Sequence, residues 1–286
     1  MSSIKTVGIV GAGTMGNGIA QACAVSGIRA VMVDINEAAV QKGLATISGS
    51  LDRMLKKDKI SATERDAALA LVQGSTNYDD LKAADLVIEA ATENLELKLR
   101  ILRQLDGLLP PETLIASNTS SISITQLAAV TSRAERFIGM HFFNPVPLMA
   151  LVEVIRGLQT SDATHDAVHE LALRLGKTPV SVRNAPGFVV NRILVPMINE
   201  AFFVLAEGVA SAEDIDAGMK LGCNHPIGPL ALADMIGLDT CLAIMNVYFD
   251  EFQDSKYRAA PLLKEMVAAG WLGRKSGRGF YTYETK

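Results

Sequence analysis

Cysteine is scarce in this chain. Only Cys23, Cys223 and Cys241 occur in 286 residues, far apart and with no CxxC pair. That excludes a disulfide framework and a cysteine-based zinc site, and it suits reduced thiols in a cytoplasmic protein. An excess of one charge is also lacking: 27 Lys plus Arg face 31 Asp plus Glu, a net −4. A general nucleic-acid binder is excluded on that balance, although a local basic patch can hide within it. Long apolar runs are missing too. Residues 113–132 carry no charge, yet eleven of these 20 are Ser, Thr, Asn or Gln, too polar to cross lipid. The start imitates a signal peptide through Lys5, an apolar stretch and Ala22-Cys23-Ala24. Gly8, Gly11, Gly13, Gly16 and Gly18 would break such an apolar helix, so no leader and no membrane span are expected.

What is present is an ordinary globular composition, 49% hydrophobic and 20% charged. At about 150 residues per domain the length suits two domains. To about residue 183, short β-rich runs alternate with helical stretches. Strands are expected at residues 5–10, 30–34, 85–89, 114–117, 137–140 and 151–155, with helices at 37–57 and 94–109. The early runs are continuously apolar, as parallel strands covered on both faces are. This is the pattern of a doubly wound α/β sheet. After Asn184-Ala185-Pro186-Gly187 the pattern turns helical: 188–207, with Pro196 expected to kink it, then a helix started by Ser211 and stopping near Gly222. Further helices are expected at 228–252 and 261–269, and a last strand at 279–283. The expected domains are therefore 1–184, the α/β domain, and 185–286, the helical one.

Gly11-Ala12-Gly13-Thr14-Met15-Gly16 follows the first strand and opens a helical stretch ending at Gly27. Strand, glycine turn, helix, second strand and terminal acid together make a dinucleotide fingerprint. Gly11 permits the tight turn, Gly13 the close approach of backbone N–H groups to a pyrophosphate, and Gly16 the packing of helix on strand. Asp34, 23 residues after Gly11, can accept hydrogen bonds from ribose hydroxyls and repels a 2′-phosphate, which favours NAD over NADP. FAD uses the same fingerprint and remains an alternative.

The four histidines can be weighed singly. His165 and His169 are four apart on a polar helical stretch, and without a third ligand nearby a solvated face suits them better than a metal site. His225 lies at a helix-to-turn junction, either as a capping or packing residue or as part of a site. His141 ends an apolar run and enters Phe142-Phe143-Asn144-Pro145, where the strand ends of such sheets face a cleft. The return through Leu151-Val152-Glu153 can bring a carboxylate beside the imidazole, which suits a general base; an unrelated core histidine and surface glutamate is the alternative. Ser117 to Ser121 also follows a strand, either orienting a substrate oxygen or capping a helix. A Ser–His–Glu hydrolase is disfavoured because no G-x-S-x-G elbow exists.

With these residues collected, the chain resembles the short-chain (S)-3-hydroxyacyl-CoA dehydrogenase family, in particular its bacterial branch acting on 3-hydroxybutyryl-CoA. The resemblance runs from the glycine fingerprint through Ser117 to Ser121, His141-Phe142-Phe143-Asn144-Pro145 and Pro186-Gly187-Phe188-Val189-Val190-Asn191-Arg192. It ends at Arg274-Lys275-Ser276-Gly277-Arg278-Gly279-Phe280-Tyr281. It implies a Rossmann-type NAD domain and a helical domain for substrate and homodimer contacts. It also implies reversible, NAD-dependent interconversion of 3-hydroxyacyl-CoA and 3-ketoacyl-CoA. His141 matches the catalytic base and Glu153 its orienting carboxylate, while Ser120 and Asn191 match substrate-binding residues. Thr14 and Met15 lie inside the fingerprint, and Asp34, Glu93, Lys98, Asn144 and Lys275 match positions around NAD. Ser50 and Lys57 align with positions near CoA, in a segment of variable length. No metal is implied. Arg53, Lys56, Lys57 and Lys59 form a basic cluster whose spacing puts the first three on one helical face, suited to CoA phosphates or simply solvated. The rival readings are a dehydrogenase of free β-hydroxyacids and a non-catalytic NAD(H)-binding relative.

Overall fold

The computed structural model describes residues 4–284. The chain divides into two compact units, one ending at Phe188 and the other beginning at Val189. The first contains strands β1 (Thr6–Val10), β2 (Arg29–Val33), β3 (Val72–Ser75), β4 (Leu86–Glu89), β5 (Leu114–Ser117), β6 (Phe137–Phe142), β7 (Leu151–Arg156) and β8 (Thr178–Arg183). They form one sheet in the order β3-β2-β1-β4-β5-β6-β7-β8. Every neighbouring pair is parallel except β6 and β7, which run antiparallel.

The helices of this unit are α1 (Thr14–Val25), α2 (Glu37–Leu55), α3 (Ala62–Ala70), α4 (Leu95–Leu108), α5 (Ile124–Ala128) and α6 (Asp162–Arg174). Strand side chains alternate between two cores, as the two-residue period of a strand requires. Val7, Ile9, Ala30, Met32, Leu86 and Ile88 join residues of α1, α2 and α6 in one core. Val10, Val31, Val33, Val87 and Ile115 join Leu102 and Leu105 of α4 and Leu127 of α5 in the other. Helices thus cover both faces, and the architecture is the Rossmann-type doubly wound sheet.

Three elements were not expected from sequence. Strands β3 and β8 are edge strands with one neighbour each, so they lack a continuous apolar run; in β8 only Val182 is fully buried. Helix α3 is short, yet its start carries a reciprocal capping box between Ser61 and Glu64. Helix α2 stops at Leu55, with Lys56 as its cap and Asp58 in the left-handed region at φ 52°. Lys57 therefore lies in a turn and not on the helical face with Arg53.

The second unit holds α7 (Val190–Ala206), α8 (Ala212–Gly222), α9 (Pro229–Ile236), α10 (Leu238–Phe252) and α11 (Pro261–Ala268) around Ile198, Phe202, Leu230, Met245, Tyr248 and Leu263. Helix α7 runs on past Pro196. The single helix expected at 228–252 is two helices, bent by 96° at Gly237, whose φ of 104° a side chain would strain. Among the described residues no single helix is long and apolar enough to cross a membrane; α9 and α10 reach that size only as this bent pair. The strand expected at 279–283 is replaced by two isolated bridges among the described residues. Its amides are drawn elsewhere: Phe280 and Tyr281 donate their N–H groups to Asp234, each at 3.0 Å, and the Tyr283 hydroxyl donates to the same carboxylate at 2.9 Å. A Cβ on Gly279 would fall 1.9 Å from Asp234 Oδ1, so this close approach requires glycine.

Candidate active site

The parallel strands bring their carboxyl ends to one edge of the sheet, with the order reversing between β1 and β4. Gly11, just past β1, has φ 103°, and a Cβ there would lie 2.7 Å from Ala91 Cα. A Cβ on Gly16 would sit 1.8 Å from the Gly11 carbonyl oxygen. These two contacts force the tight turn, whereas Gly13 faces open space. Gly13 is the N-cap of α1, and no side chain caps this end and no acid stands in the first turn. The first amides of α1, including those of Thr14 and Met15, therefore present partial positive charge to an incoming anion.

Asp34 follows β2. Its Oδ2 accepts the Ala12 N–H at 3.0 Å and its Oδ1 the Asn36 N–H at 3.1 Å, so the acid is held against the glycine turn. An uncapped helix start, an open face at Gly13 and a fixed carboxylate at the second strand end are what a dinucleotide needs, pyrophosphate at one end and ribose hydroxyls at the other. The residues fit NAD.

Beside this turn, β4 ends in Glu89, fully buried, whose Oε1 accepts the Ala91 N–H at 3.0 Å. Glu89 Oε2 forms an ion pair with Lys98 and accepts the Ser117 hydroxyl at 2.9 Å. Lys98 is 1% exposed, so its ammonium lies beneath the strand ends and not on their surface. It also stands 3.8 Å from Glu93 Oε2. Glu93 itself is exposed and grips the loop after β5: its Oε1 accepts the Ser120 N–H at 2.6 Å and the Ser120 hydroxyl at 2.8 Å, and Thr119 donates as well. Glu93 thus holds Ser120 by hydrogen bonds and faces Lys98 across a longer ion pair. In the same loop Asn118 Oδ1 accepts the Phe142 N–H at 2.9 Å, tying β5 to the end of β6.

His141 sits on β6 opposite Glu153 on β7, the two being direct cross-strand partners. Met140 and Phe142 point into one core, so the alternation of the strand turns His141 to the other face, where Glu153 also points. His141 Nδ1 lies 2.8 Å from Glu153 Oε2. His141 is 6% exposed and Glu153 is fully buried. An ionised carboxylate only accepts, so Nδ1 carries the proton and Nε2 keeps its lone pair. The rings of Phe143 and Phe188 stand 4.5 and 5.7 Å from the imidazole and limit water around it. Asn144, exposed, follows with a cis bond to Pro145.

The family profile for the NAD binding domain of 3-hydroxyacyl-CoA dehydrogenase matches residues 6–185, and that for the C-terminal domain of the same enzyme matches residues 187–283. The chain belongs to the 3-hydroxyacyl-CoA dehydrogenase family. It is 54% identical over 280 residues to the 3-hydroxybutyryl-CoA dehydrogenase of Bradyrhizobium diazoefficiens, covering 98% of this chain and 96% of the relative. It is 53% identical over 283 residues to a probable 3-hydroxybutyryl-CoA dehydrogenase of Bacillus subtilis, covering 99% of each. Among solved structures, (S)-3-hydroxybutyryl-CoA dehydrogenase PaaH1 of Ralstonia eutropha superposes with a TM-score of 0.98 at 71% identity, over 99% of this chain and all of that one. The α/β unit is thus the family's NAD-binding domain, and NAD is its cofactor.

The remaining expected positions stand on other elements. Ser50 is half-buried on α2, and Lys57 is exposed just beyond it with Arg53, Lys56 and Lys59. Asn191 stands in the first turn of α7, and Lys275 in a short 3-10 turn, Arg274–Ser276, both in the second unit. Lys275 Nζ pairs with Asp239 at 2.5 Å, which holds that carboxyl below the usual carboxylate range. His165 is not on a solvated face: its Nε2 bonds Ser181 of β8 at 2.9 Å, and its ring stands 5.7 Å from that of His169. The His225 N–H closes the end of α8 on the Met219 carbonyl at 3.4 Å. Among the described residues no group of three or more His, Cys, Asp or Glu is placed to hold a metal.

Glu89 went unassigned in the sequence, although an acid closing an apolar strand, as in Leu86–Glu89, was a visible signal. Asp234 and Asp216 also escaped notice. Asp216 receives the Leu230 and Ala231 N–H groups at the start of α9 and the Tyr281 hydroxyl, so it anchors the C-terminal segment to the helical unit.

Proposed function

We propose that this chain is an NAD-dependent (S)-3-hydroxybutyryl-CoA dehydrogenase, reversibly interconverting short-chain 3-hydroxyacyl-CoA and 3-ketoacyl-CoA with His141 as general acid–base. The observation that carries this reading is the 2.8 Å His141–Glu153 pair, on the strand edge that also bears the glycine turn. Bound NAD supplies the hydride acceptor for oxidation and, reduced, the donor for reduction. His141 Nε2 takes the proton of the 3-hydroxyl in oxidation and returns it to the 3-keto oxygen in reduction. Glu153 fixes the tautomer and stabilises the imidazolium that forms, in surroundings too dry for water to do so. Ser120, tethered by Glu93, aligns the substrate oxygen, and Asn191 is a further substrate-binding residue on the family resemblance. Asp34 favours NAD by repelling a 2′-phosphate.

The CoA reading draws on the names of the relatives and on Arg53, Lys56, Lys57 and Lys59, four exposed cations within seven residues. A homodimer through the helical unit is supported by exposed apolar side chains there, among them Ile193, Val209, Leu221 and Met235. A cytoplasmic location is supported by three free cysteines.

The test is initial-rate kinetics with acetoacetyl-CoA against NADH and NADPH, for the wild type and His141→Ala. The variant is expected to lose roughly 10²–10⁴-fold in kcat, with NADH strongly preferred by the wild type. A His141→Ala enzyme with undiminished kcat overturns the assignment.

A further inference from the structure

The loop that joins the histidine strand to the glutamate strand is gripped by a buried lysine that the mechanism above leaves unused. Gly176, at φ 68°, ends α6, and Lys177 follows it at 9% exposure. The Lys177 ammonium donates to the Val146 carbonyl at 2.6 Å and to the Met149 carbonyl at 2.8 Å. The next residue, Thr178, donates its N–H to the Ala150 carbonyl at 2.7 Å. Residues 145–150 are otherwise closed on themselves, Leu148 and Met149 both donating to the Pro145 carbonyl. On the other side Val146 is buried against α1, where a Cβ on Gly18 would approach its Cβ to 2.9 Å. The loop is therefore held between the dinucleotide helix and one cation.

That cation is an expensive choice for stability alone. Among the described residues no carboxylate pairs with it, and burial draws its pKa below the ordinary lysine value. An apolar side chain of similar length would fill the space at lower cost, as replacing buried charges by hydrophobic residues often does. What an apolar residue cannot supply is two donors that fix the Val146 and Met149 carbonyls. Those carbonyls lie in the connection that sets the β6–β7 register, and only in that register do His141 and Glu153 face one another. Asn144, at the mouth of the same loop, is carried with it.

We propose that Lys177 is a positioning residue, which fixes the 145–150 loop by its two carbonyl contacts and so holds His141 in hydrogen-bonding alignment with Glu153. The proposal rests on His141 being the general base. A slackened hairpin moves the imidazole by a fraction of an ångström to an ångström, and misplacement by 1 Å can cost about a hundredfold in rate.

The experiment compares wild type and Lys177→Met by steady-state kinetics and by the imidazole resonances of ¹⁵N-histidine-labelled full-length protein. The four histidines make the spectrum simple, and a His141→Asn sample assigns the His141 signals. Lys177→Met is expected to retain its circular dichroism while kcat falls about ten- to a hundredfold and KM for acetoacetyl-CoA stays nearly constant. The hydrogen-bonded Nδ1–H signal of His141 is expected to shift or broaden. A variant with wild-type kcat and an unmoved His141 signal, whatever its melting temperature, overturns the proposal. If Lys177→Met does not fold, Lys177→Gln, with one donor group, is read in the same two ways. Failure of both to fold assigns the lysine to folding and also overturns it. A wild type without turnover would sink the enzymatic reading, while the His141 resonance still reports on the positioning.

Discussion

Replacing Glu153 by Gln tests the electrostatic half of the proposed mechanism with little change of shape. The side chain is fully buried, and its Oε2 lies 2.8 Å from His141 Nδ1. Glutamine keeps an acceptor there but removes the charge. A hydrogen bond to a charged group is worth about 1.5–3 kcal/mol against about 0.5–1.5 for a neutral one, so the contact itself weakens by roughly 1–1.5 kcal/mol. The through-space term is larger: unit charges about 4 Å apart attract by about 4 kcal/mol at an effective dielectric near 20. A barrier rise between these bounds, at about 1.4 kcal/mol per decade, slows turnover roughly 10- to 1000-fold. Should the amide nitrogen face Nδ1, the proton moves to Nε2 and the base is lost, which drives the effect to the upper end. The assay is NADH absorbance with saturating acetoacetyl-CoA, with circular dichroism as the folding control. The loss should fall on kcat and leave KM nearly constant, because the pair acts on charge that develops during proton transfer. A Glu153→Gln enzyme within about threefold of wild-type kcat, alongside an inactive His141→Ala, would refute the reasoning.

Two further outcomes follow from buried groups. Glu89→Gln and Lys98→Met each leave half of an ion pair at 0% and 1% exposure, and each should cost about 3–5 kcal/mol of stability. The double variant should cost clearly less than their sum. Urea unfolding must be followed by far-UV circular dichroism, since the single tryptophan, Trp271, lies in the other unit; single-variant costs below about 1 kcal/mol would mean the pair is solvated. The thiols make a second case. Burial pushes Cys23 and Cys241 up from 9.0 to about 12, while Cys223 is exposed. A thiol reagent near neutral pH should therefore modify one group per native chain and three after unfolding. Because the native state keeps protons that the unfolded thiols release, these two groups favour folding below pH 9, and that contribution is lost as pH rises towards 12. Alkaline denaturation curves of Cys23→Ala and Cys241→Ala that match the wild type would contradict this.

Much of the NAD-binding unit was legible along the chain. The glycine turn, Asp34, helices α2 and α4 and the strands around them depend on signals within a few residues: period, capping and backbone freedom. The edge strands β3 and β8 carry no such signal because β3 is half-buried throughout and β8 is mostly exposed, and Gly237 reads as an ordinary helical glycine until the bend it makes is seen. Lys98 shows the same limit at the candidate site. Its expected place near NAD came from the family resemblance alone, and its burial is decided by Glu89, nine residues back, and Ser117, nineteen ahead.

By itself the sequence determined which chemical groups this protein owns and which short turns present them, since backbone conformation and side-chain chemistry are local properties. Only the tertiary structure decided which of them meet. His141 and Glu153 face one another because β7 turns back antiparallel on β6; one residue of slip would point either side chain to the opposite face of the sheet. Glu93 reaches Ser120 because β4 and β5 lie side by side. Those meetings join residues 12 and 27 positions apart, and register, burial and dielectric are properties of the packed sheet that no window along the chain contains.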